Sequence, residues 1–362
     1  MNGIIQMAGV FTASLVTAVS SLAVRSLHSD ATLGTPDGDG LASARRLMDV
    51  DVFGNISIPS AKLRSLIPFD DGETVTLNRV LAVLQPQERE TVTGQSGISE
   101  EARFDVALSL LSNRIEREAL TIDPVGFAQL RWEANGNRTF TLILDVAERG
   151  DPGLSGLRPA PEEIVPVPDK LNTLWQQYRK VFFDRLLAGR PLKEIMESGH
   201  WRTLDPVTRR LEDELSAVVR DHLSEVAAAA LRHQDPQVRQ MSAYALTWSP
   251  DPRIAVRTLL EAIRDPVPFV RNEAARALIP LAALSIDSHA VEVPIEPIVD
   301  LLNRPTSTDR NKAAGILTEL AADPSKRPTI QRLAAHRLDA MAASRAPLNR
   351  DVAIPLLRLL RG

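Results

Sequence analysis

The residues of this 362-residue chain that could do chemistry are present but scattered. Six histidines occur, His28, His200, His222, His233, His289 and His336, and no two stand three or four apart. A helix therefore offers no paired imidazoles to a metal ion, and surface or partly buried roles suit all six. Glu212-Asp213-Glu214 beside Arg209-Arg210 could form a carboxylate site. A solvated helix face is the simpler reading, because Arg210 and Glu214 are spaced to pair one turn apart. Gly94-Gln95-Ser96-Gly97 is too short to cradle a phosphate, and neither a P-loop nor a dinucleotide fingerprint occurs. Gly-x-Ser-x-Gly is also absent. Ser198-Gly199-His200-Trp201 could suggest a nucleophile and base, but it reads better as a glycine-containing turn between helices. The chain has no cysteine, which removes disulfides, thiolate metal sites and cysteine nucleophiles. These residues predict no catalytic group, no metal site and no cofactor.

Composition narrows the partners. Net charge is −4, so electrostatics make no case for nucleic acid. From Leu204 to the end, 21 Lys and Arg face 20 Asp and Glu. Met1 to Val24 carries no charge, and Met7 to Val24 is apolar with small residues around Ser21-Leu22-Ala23. Residues 1–26 read as a cleaved signal peptide or a retained membrane anchor, with an ordinary buried helix as the remaining reading. The first two place the rest of the chain outside a bacterial cytoplasm, periplasmic or membrane-anchored. Residues 27–44, polar and rich in Asp and Gly, read as a flexible linker.

The elements follow from periodicity. Met48, Val50 and Val52 alternate with Asp49 and Asp51, which predicts a half-buried strand ending at Gly54-Asn55. Short helices are expected over 59–66 and 77–84, irregular chain over 88–99, and a helix over 100–111. Phe127, Gln129, Arg131 and Glu133 alternate with Ala128, Leu130, Trp132 and Ala134. Asn135-Gly136-Asn137 and a second alternating run, Phe140 to Val146, complete a hairpin signal. Residues 151–169 are proline-rich and predict a semi-rigid linker. A helical connector over 170–203 includes a long helix at 171–187 and a short one at 191–196. Then Asp205-Pro206, Asp235-Pro236 and Asp265-Pro266 recur every 30 residues, each before an apolar-periodic stretch. Asp caps a helix and Pro is preformed for its first position, so the phrase marks a repeating helix start. Residues 204–362 are thus expected to be an all-α helical solenoid.

Two family resemblances follow. Val50-Asp51-Val52-Phe53-Gly54-Asn55, Ile58-Pro59, Lys62-Leu63 and Ile67-Pro68-Phe69-Asp70-Asp71-Gly72-Glu73, closed by the hairpin, resemble a POTRA-like module. Such modules belong to outer-membrane assembly and secretion machinery. The resemblance implies an α+β domain over 45–150 of order βααββ, although the stretch from Gln85 to Val125 is longer than the family pattern. Asp235-Pro236-Gln237-Val238-Arg239, Ala243, Ala245-Leu246 and Asp251-Pro252-Arg253 are similar to HEAT-like repeats of the phycobilisome-lyase type. The pattern returns at Asp265-Pro266, Val270-Arg271, Ala274-Ala275 and Ala277-Leu278, with Pro268-Phe269 inserted. Arg239 and Arg271 are then equivalent, with Arg310 a looser match. They could line a concave surface for an acidic ligand. The resemblance implies the alternative, in which each pairs with an Asp of its own or a neighbouring repeat, here Asp235 and Asp265.

The expected function is a noncatalytic extracytoplasmic adaptor for protein partners, envelope or outer-membrane components among them. Candidate partner-binding residues are Phe127, Gln129 and Arg131 on the hairpin strand, Arg239 and Arg271 on the repeats, and Leu356 and Leu360 at the final helix. Leu356-Leu357-Arg358-Leu359-Leu360 lacks a polar covering helix, so self-association is a further expectation. The alternative is a HEAT-like lyase or base glycosylase working in the concave groove. Tyr244 and Trp248 are the only Trp or Tyr from Leu204 onward, which argues against a base-handling groove.

Overall fold

The structure is a computed structural model that describes residues 44–54, 57–94, 99–134, 138–187, 192–287 and 291–362. The signal or anchor reading for 1–26, all but the last residue of the 27–44 linker, Asn55, the turn at 135–137, His28 and His289 lie outside the described residues.

The N-terminal half is α+β. Strand β1 (Arg45–Phe53) is followed by α1 (Ser60–Arg64), β2 (Thr74–Val75), α2 (Leu77–Val83), α3 (Pro86–Thr93) and α4 (Glu100–Leu120). The hairpin β3 (Val125–Ala134) and β4 (Thr139–Glu148) closes it. The sheet runs β2-β1-β4-β3, with β1 parallel to β4 and β3 antiparallel to it. Irregular chain does not fill 88–99. Gln85 and Glu88 form a capping box around Pro86, so a helix starts there despite its polar sequence. Helices α3 and α4 therefore occupy the stretch that exceeds a βααββ order.

In β1 the inward residues are Leu47 and Val50, while Met48 is exposed. A register shift between Leu47 and Asp49 moves the alternation by one residue, which overturns the expected inward place of Met48. Leu47, Val50, Leu130, Phe140, Leu142, Leu144 and Val146 form one core with Phe104, Leu108 and Leu111 of α4.

The helical half begins with α5 (Asp169–Leu187), then β5 (Glu194–Glu197) and β6 (His200–Thr203). Pro191 of the helix expected over 191–196 lies outside the described residues, and from Glu194 the chain forms the first strand of this hairpin instead. Ser198 and Gly199 both have positive φ, 52° and 81°, the backbone of a tight two-residue hairpin turn. The turn at Ser198-Gly199 thus joins strands, not helices.

Among the described residues, nine α-helices follow: α6 (Pro206–Asp221), α7 (Leu223–Arg232), α8 (Pro236–Ala245), α9 (Pro252–Ala262), α10 (Pro268–Asp287), α11 (Glu296–Leu302), α12 (Ser307–Leu320), α13 (Arg327–Ala343) and α14 (Pro347–Arg361). Asp205, Asp235 and Asp251 each accept a backbone N–H of the helix that follows, as the recurring Asp-Pro phrase requires. Asp265-Pro266 departs from the pattern, because α10 starts two residues late at Pro268. A residue preceding proline avoids helical geometry, so Val267 cannot begin the helix. Helices α8, α10, α12 and α14 stack on one another, and α7, α9, α11 and α13 pack behind them.

The two halves are not joined by a free spacer. The proline-rich segment runs along the repeats: Arg158 N–H donates to Arg264 O at 2.8 Å and Gln234 N–H to Glu163 O at 2.6 Å. A Cβ added at Gly153 would lie 2.3 Å from Asn303 O, so only glycine permits that approach. The second face of the sheet, expected to meet solvent, docks on the helices. Asp145 accepts Ser307 N–H at 2.9 Å, Glu133 accepts Leu348 N–H at 3.1 Å, and Asp51 accepts Ala346 N–H at 3.2 Å. Three carboxylates thus sit at the N-terminal ends of α12 and α14, where unpaired N–H groups and the helix dipole favour negative charge. Phe53 lies under two guanidiniums, Arg310 at 4.1 Å and Arg337 at 4.9 Å from the ring centre.

Three buried arginines fix the register of the inner helices. Each sends one terminal nitrogen back to two loop carbonyls: Arg239 to His233 and Gln234, Arg271 to Asp265 and Pro266, Arg310 to Arg304 and Pro305. Each sends its other nitrogens to the next repeat. Arg239 grips Asp265 at 2.8 and 3.0 Å, and Arg271 grips Asp309, the closest contact being 2.7 Å. Arg310 finds Asn349 in the corresponding place, at 3.2 Å, and takes its carboxylate from Asp145 of the sheet at 2.5 Å.

Asp145→Ala is expected to lower the unfolding free energy by about 3–5 kcal/mol, because it strands a buried guanidinium. Adding Asn349→Asp should recover a substantial part by supplying the carboxylate from the next repeat. Urea unfolding of wild type, both single variants and the double variant measures this coupling, and a double variant no better than Asp145→Ala alone would contradict it.

Candidate functional site

The face of α8, α10 and α12 that looks toward the N-terminal half is the richest in functional groups. Counting from the three equivalent arginines places Gln240, Asn272 and Asn311 in one row. Met241, Glu273 and Lys312 form a second row, and Tyr244, Arg276 and Gly315 a third. All but Gly315 are buried, because α5 and the β5–β6 hairpin lie over this face together with the sheet.

An aromatic cluster sits where α5 and the hairpin meet the repeats. Trp175 and Tyr178 of α5 stack at 5.8 Å, and Tyr244 and Trp248 meet edge to face at 5.3 Å. The hydroxyls of Tyr178 and Tyr244 are 2.8 Å apart. Trp201 of β6 donates its indole N–H to Arg276 O at 2.9 Å. Glu194 of β5 holds the Arg276 guanidinium at 2.5 Å. Burial and the negative charge nearby push both tyrosines well above the usual phenol range, so they stay protonated. The count of two Trp or Tyr in the repeats missed this cluster, since three of its five rings come from the connector. Its sequence signal was Trp175 and Tyr178 one turn apart on an apolar stripe.

Glu212 overturns the solvated-face reading of the acidic cluster. It is 1 % exposed and accepts the Thr203 N–H at 3.1 Å. Burial raises its carboxyl from the ordinary 4.5 to about 7, against the opposing pull of that hydrogen bond. Asp213 behaves as expected and pairs with Arg202 at the surface. Arg209 pairs across to Glu197 of the hairpin at 2.6 Å.

The residues singled out as partner-binding fall into two groups. Arg239 and Arg271 are buried in the ion pairs above. The partners are the acids of the following repeat, and neither arginine pairs with an Asp of its own repeat. Arg131 is also buried and donates to Thr308 Oγ at 2.9 Å. Leu356 and Leu360 are buried in the helical core, as is Leu357, so the leucine-rich ending is consumed internally. The outer face of α14 carries Arg350, Asp351, Arg358 and Arg361 and itself supplies the polar cover. Phe127 and Gln129 are half-buried on β3, an edge strand of the sheet. The edge is occupied at Leu130, whose N–H donates to Glu116 of α4 at 2.8 Å.

Exposed apolar residues concentrate elsewhere. Ile195, Met196, Leu204 and Val207 are 39–55 % exposed, and they make up four of the seven exposed large apolar side chains among the described residues. They surround the hairpin and the first turn of α6. Among the described residues, no cluster of three or more His, Asp or Glu could hold a metal ion, and no helix is long and apolar enough to cross a membrane.

The raised carboxyl of Glu212 has a signed consequence. In the fold it binds its proton up to about pH 7, whereas the unfolded chain releases it near 4.5. Its contribution is therefore present below about 4.5 and lost as pH rises through 7. Glu212→Gln keeps the acceptor for Thr203 and removes the titration. The variant should gain up to about 3 kcal/mol over wild type on going from pH 5 to pH 8. Urea midpoints at the two pH values measure it, and parallel pH dependences would refute the assignment.

A family model described as HEAT repeats matches residues 223–317, from α7 to late α12. None of the curated proteins compared matches the chain. A crystal structure of an engineered protein from a structural genomics consortium is similar over 44 % of this chain and 75 % of its own, with 20 % identity and a TM-score of 0.33. The Arg239–Asp265 and Arg271–Asp309 rungs of the ladder lie within the matched residues, whereas Asn349 and Asp145, the partners of Arg310, lie outside them. The chain therefore joins an α+β N-terminal region to a HEAT-like helical-repeat region.

Proposed function

We propose that the chain is a noncatalytic extracytoplasmic adaptor in a bacterial envelope, carried there by the uncharged segment Met1 to Val24 and binding protein partners. The observation that carries this reading is the HEAT-like array itself, whose inner face is closed by the chain's own sheet, α5 and hairpin. A repeat array of this kind suits interaction through surface rather than chemistry. The surface left for a partner is the apolar patch of Ile195, Met196, Leu204 and Val207, along with the exposed side of α9 and α13. The POTRA-like reading of residues 45–150 is supported by β1 and the closing hairpin sharing one mixed sheet beneath helices. On that reading a partner strand would add to β3 beside Phe127 and Gln129. It would have to displace Glu116 from Leu130.

The second reading, an enzyme working on the inner face, has aromatics and the carboxylate of Glu194 in its favour. Glu194 is committed to Arg276, and the aromatic rings pack on one another. The adaptor reading needs no rearrangement of these groups.

Fractionation of the native protein with sequencing of its mature N-terminus is the first check. Recovery in the envelope fraction is expected, and a soluble cytosolic protein retaining Met1 would refute the location. Leu204→Asp with Val207→Asp changes two exposed side chains and should leave the unfolding midpoint within about 0.5 kcal/mol of wild type. It should abolish capture of partners that wild type retains from envelope extract. Undiminished capture would remove the patch from the proposal.

A further inference from the structure

A hollow of about 430 Å³ opens on the outer side of the repeats, between α9 and the chain that leads into α11. That volume lies within the range of small-molecule sites. Its floor is apolar: Val256 and Val291 are buried and Leu260 is half-buried. Its rim is charged. Arg253, Arg257 and Glu261 stand four residues apart, so they form one row along α9. Glu292, next to Val291, supplies the charge of the other wall.

Two of these charges are already engaged. Glu261 pairs with Arg264 at 3.8 Å, and Arg253 has an interaction of its own. The other two are not. Among the described residues, neither the Arg257 guanidinium nor the Glu292 carboxylate has a hydrogen bond or ion pair, and they do not pair with each other. The hollow thus sets a cation on one wall and an anion on the other, with apolar surface beneath. A simple carboxylate would answer Arg257 but bring a second anion toward Glu292. An amine would answer Glu292 but bring a second cation toward Arg257. A ligand that carries both charges beside an apolar group answers all three surfaces. We propose that this hollow binds a free α-amino acid with an apolar side chain. Its carboxylate takes the Arg257 fork, its ammonium takes Glu292, and its side chain covers Val256, Leu260 and Val291. The site depends neither on the location of the chain nor on its protein partners.

NMR titration of the full chain with L-leucine, isocaproate, isoamylamine and glycine tests the site. Isocaproate lacks the ammonium, isoamylamine the carboxylate and glycine the side chain. L-Leucine should bind saturably, and each of the other three about tenfold more weakly or worse. Arg257→Gln and Glu292→Gln each change one exposed side chain, so both variants should unfold at the wild-type temperature. Each should bind L-leucine about tenfold more weakly. Arg257→Gln should also lose the preference for L-leucine over isoamylamine, and Glu292→Gln the preference over isocaproate. A lack of saturable L-leucine binding, equal affinity for all four probes, or undiminished L-leucine affinity in either variant would overturn the proposal.

Discussion

A buried guanidinium needs a carboxylate, and that need organises this molecule. Within the repeats the requirement is met locally: Arg239 takes Asp265 and Arg271 takes Asp309, each from the following repeat. At the end of the series the following repeat offers only the neutral Asn349. Arg310 therefore reaches out of the solenoid to Asp145. Breaking a buried pair on one side costs several kcal/mol, of the order of a domain's whole margin of stability. The α+β region is thus the last link in the electrostatic ladder of the repeats.

The same logic explains why the sheet is buried on both sides. One face follows the usual rule of apolar residues under helices. The other is polar, and its burial is tolerated because each carboxylate meets a donor that also needs a partner. Helix N-termini have N–H groups that nothing within the helix can satisfy. Asp145, Glu133 and Asp51 satisfy them for α12 and α14. The segment from Asp151 to Asp169 then ties the two halves along their length. A solenoid face that could have been open to a ligand is instead largely an internal surface.

Much of this was legible from sequence, and the exceptions share a cause. The Asp-Pro phrase located helix starts because capping is local chemistry. The hairpin at Val125–Glu148 was legible because alternation is local too. The region around Pro86 was missed because a polar helix has no apolar stripe, and its capping box was the only signal. The strand at Glu194–Glu197 was missed because four residues hold too little pattern. Glu212 and the polar sheet face were misread as solvated because burial of charge depends on a partner distant in sequence. The pairing of Arg310 with Asp145 spans 165 positions. No spacing rule reaches that far, though Asn349 in place of an acid was a local hint that a carboxylate had to come from elsewhere.

The polar character of the docking face also bears on how the chain is made. The sheet leaves the ribosome nearly two hundred residues before the α14 turn that receives Asp51 and Glu133. At about 5–20 residues per second, it waits roughly 10–40 seconds for its cover. An apolar face of that size would invite aggregation throughout the interval. A face studded with Arg131, Glu133 and Asp145 stays hydrated while it waits, and gives up its water only when the last helices arrive.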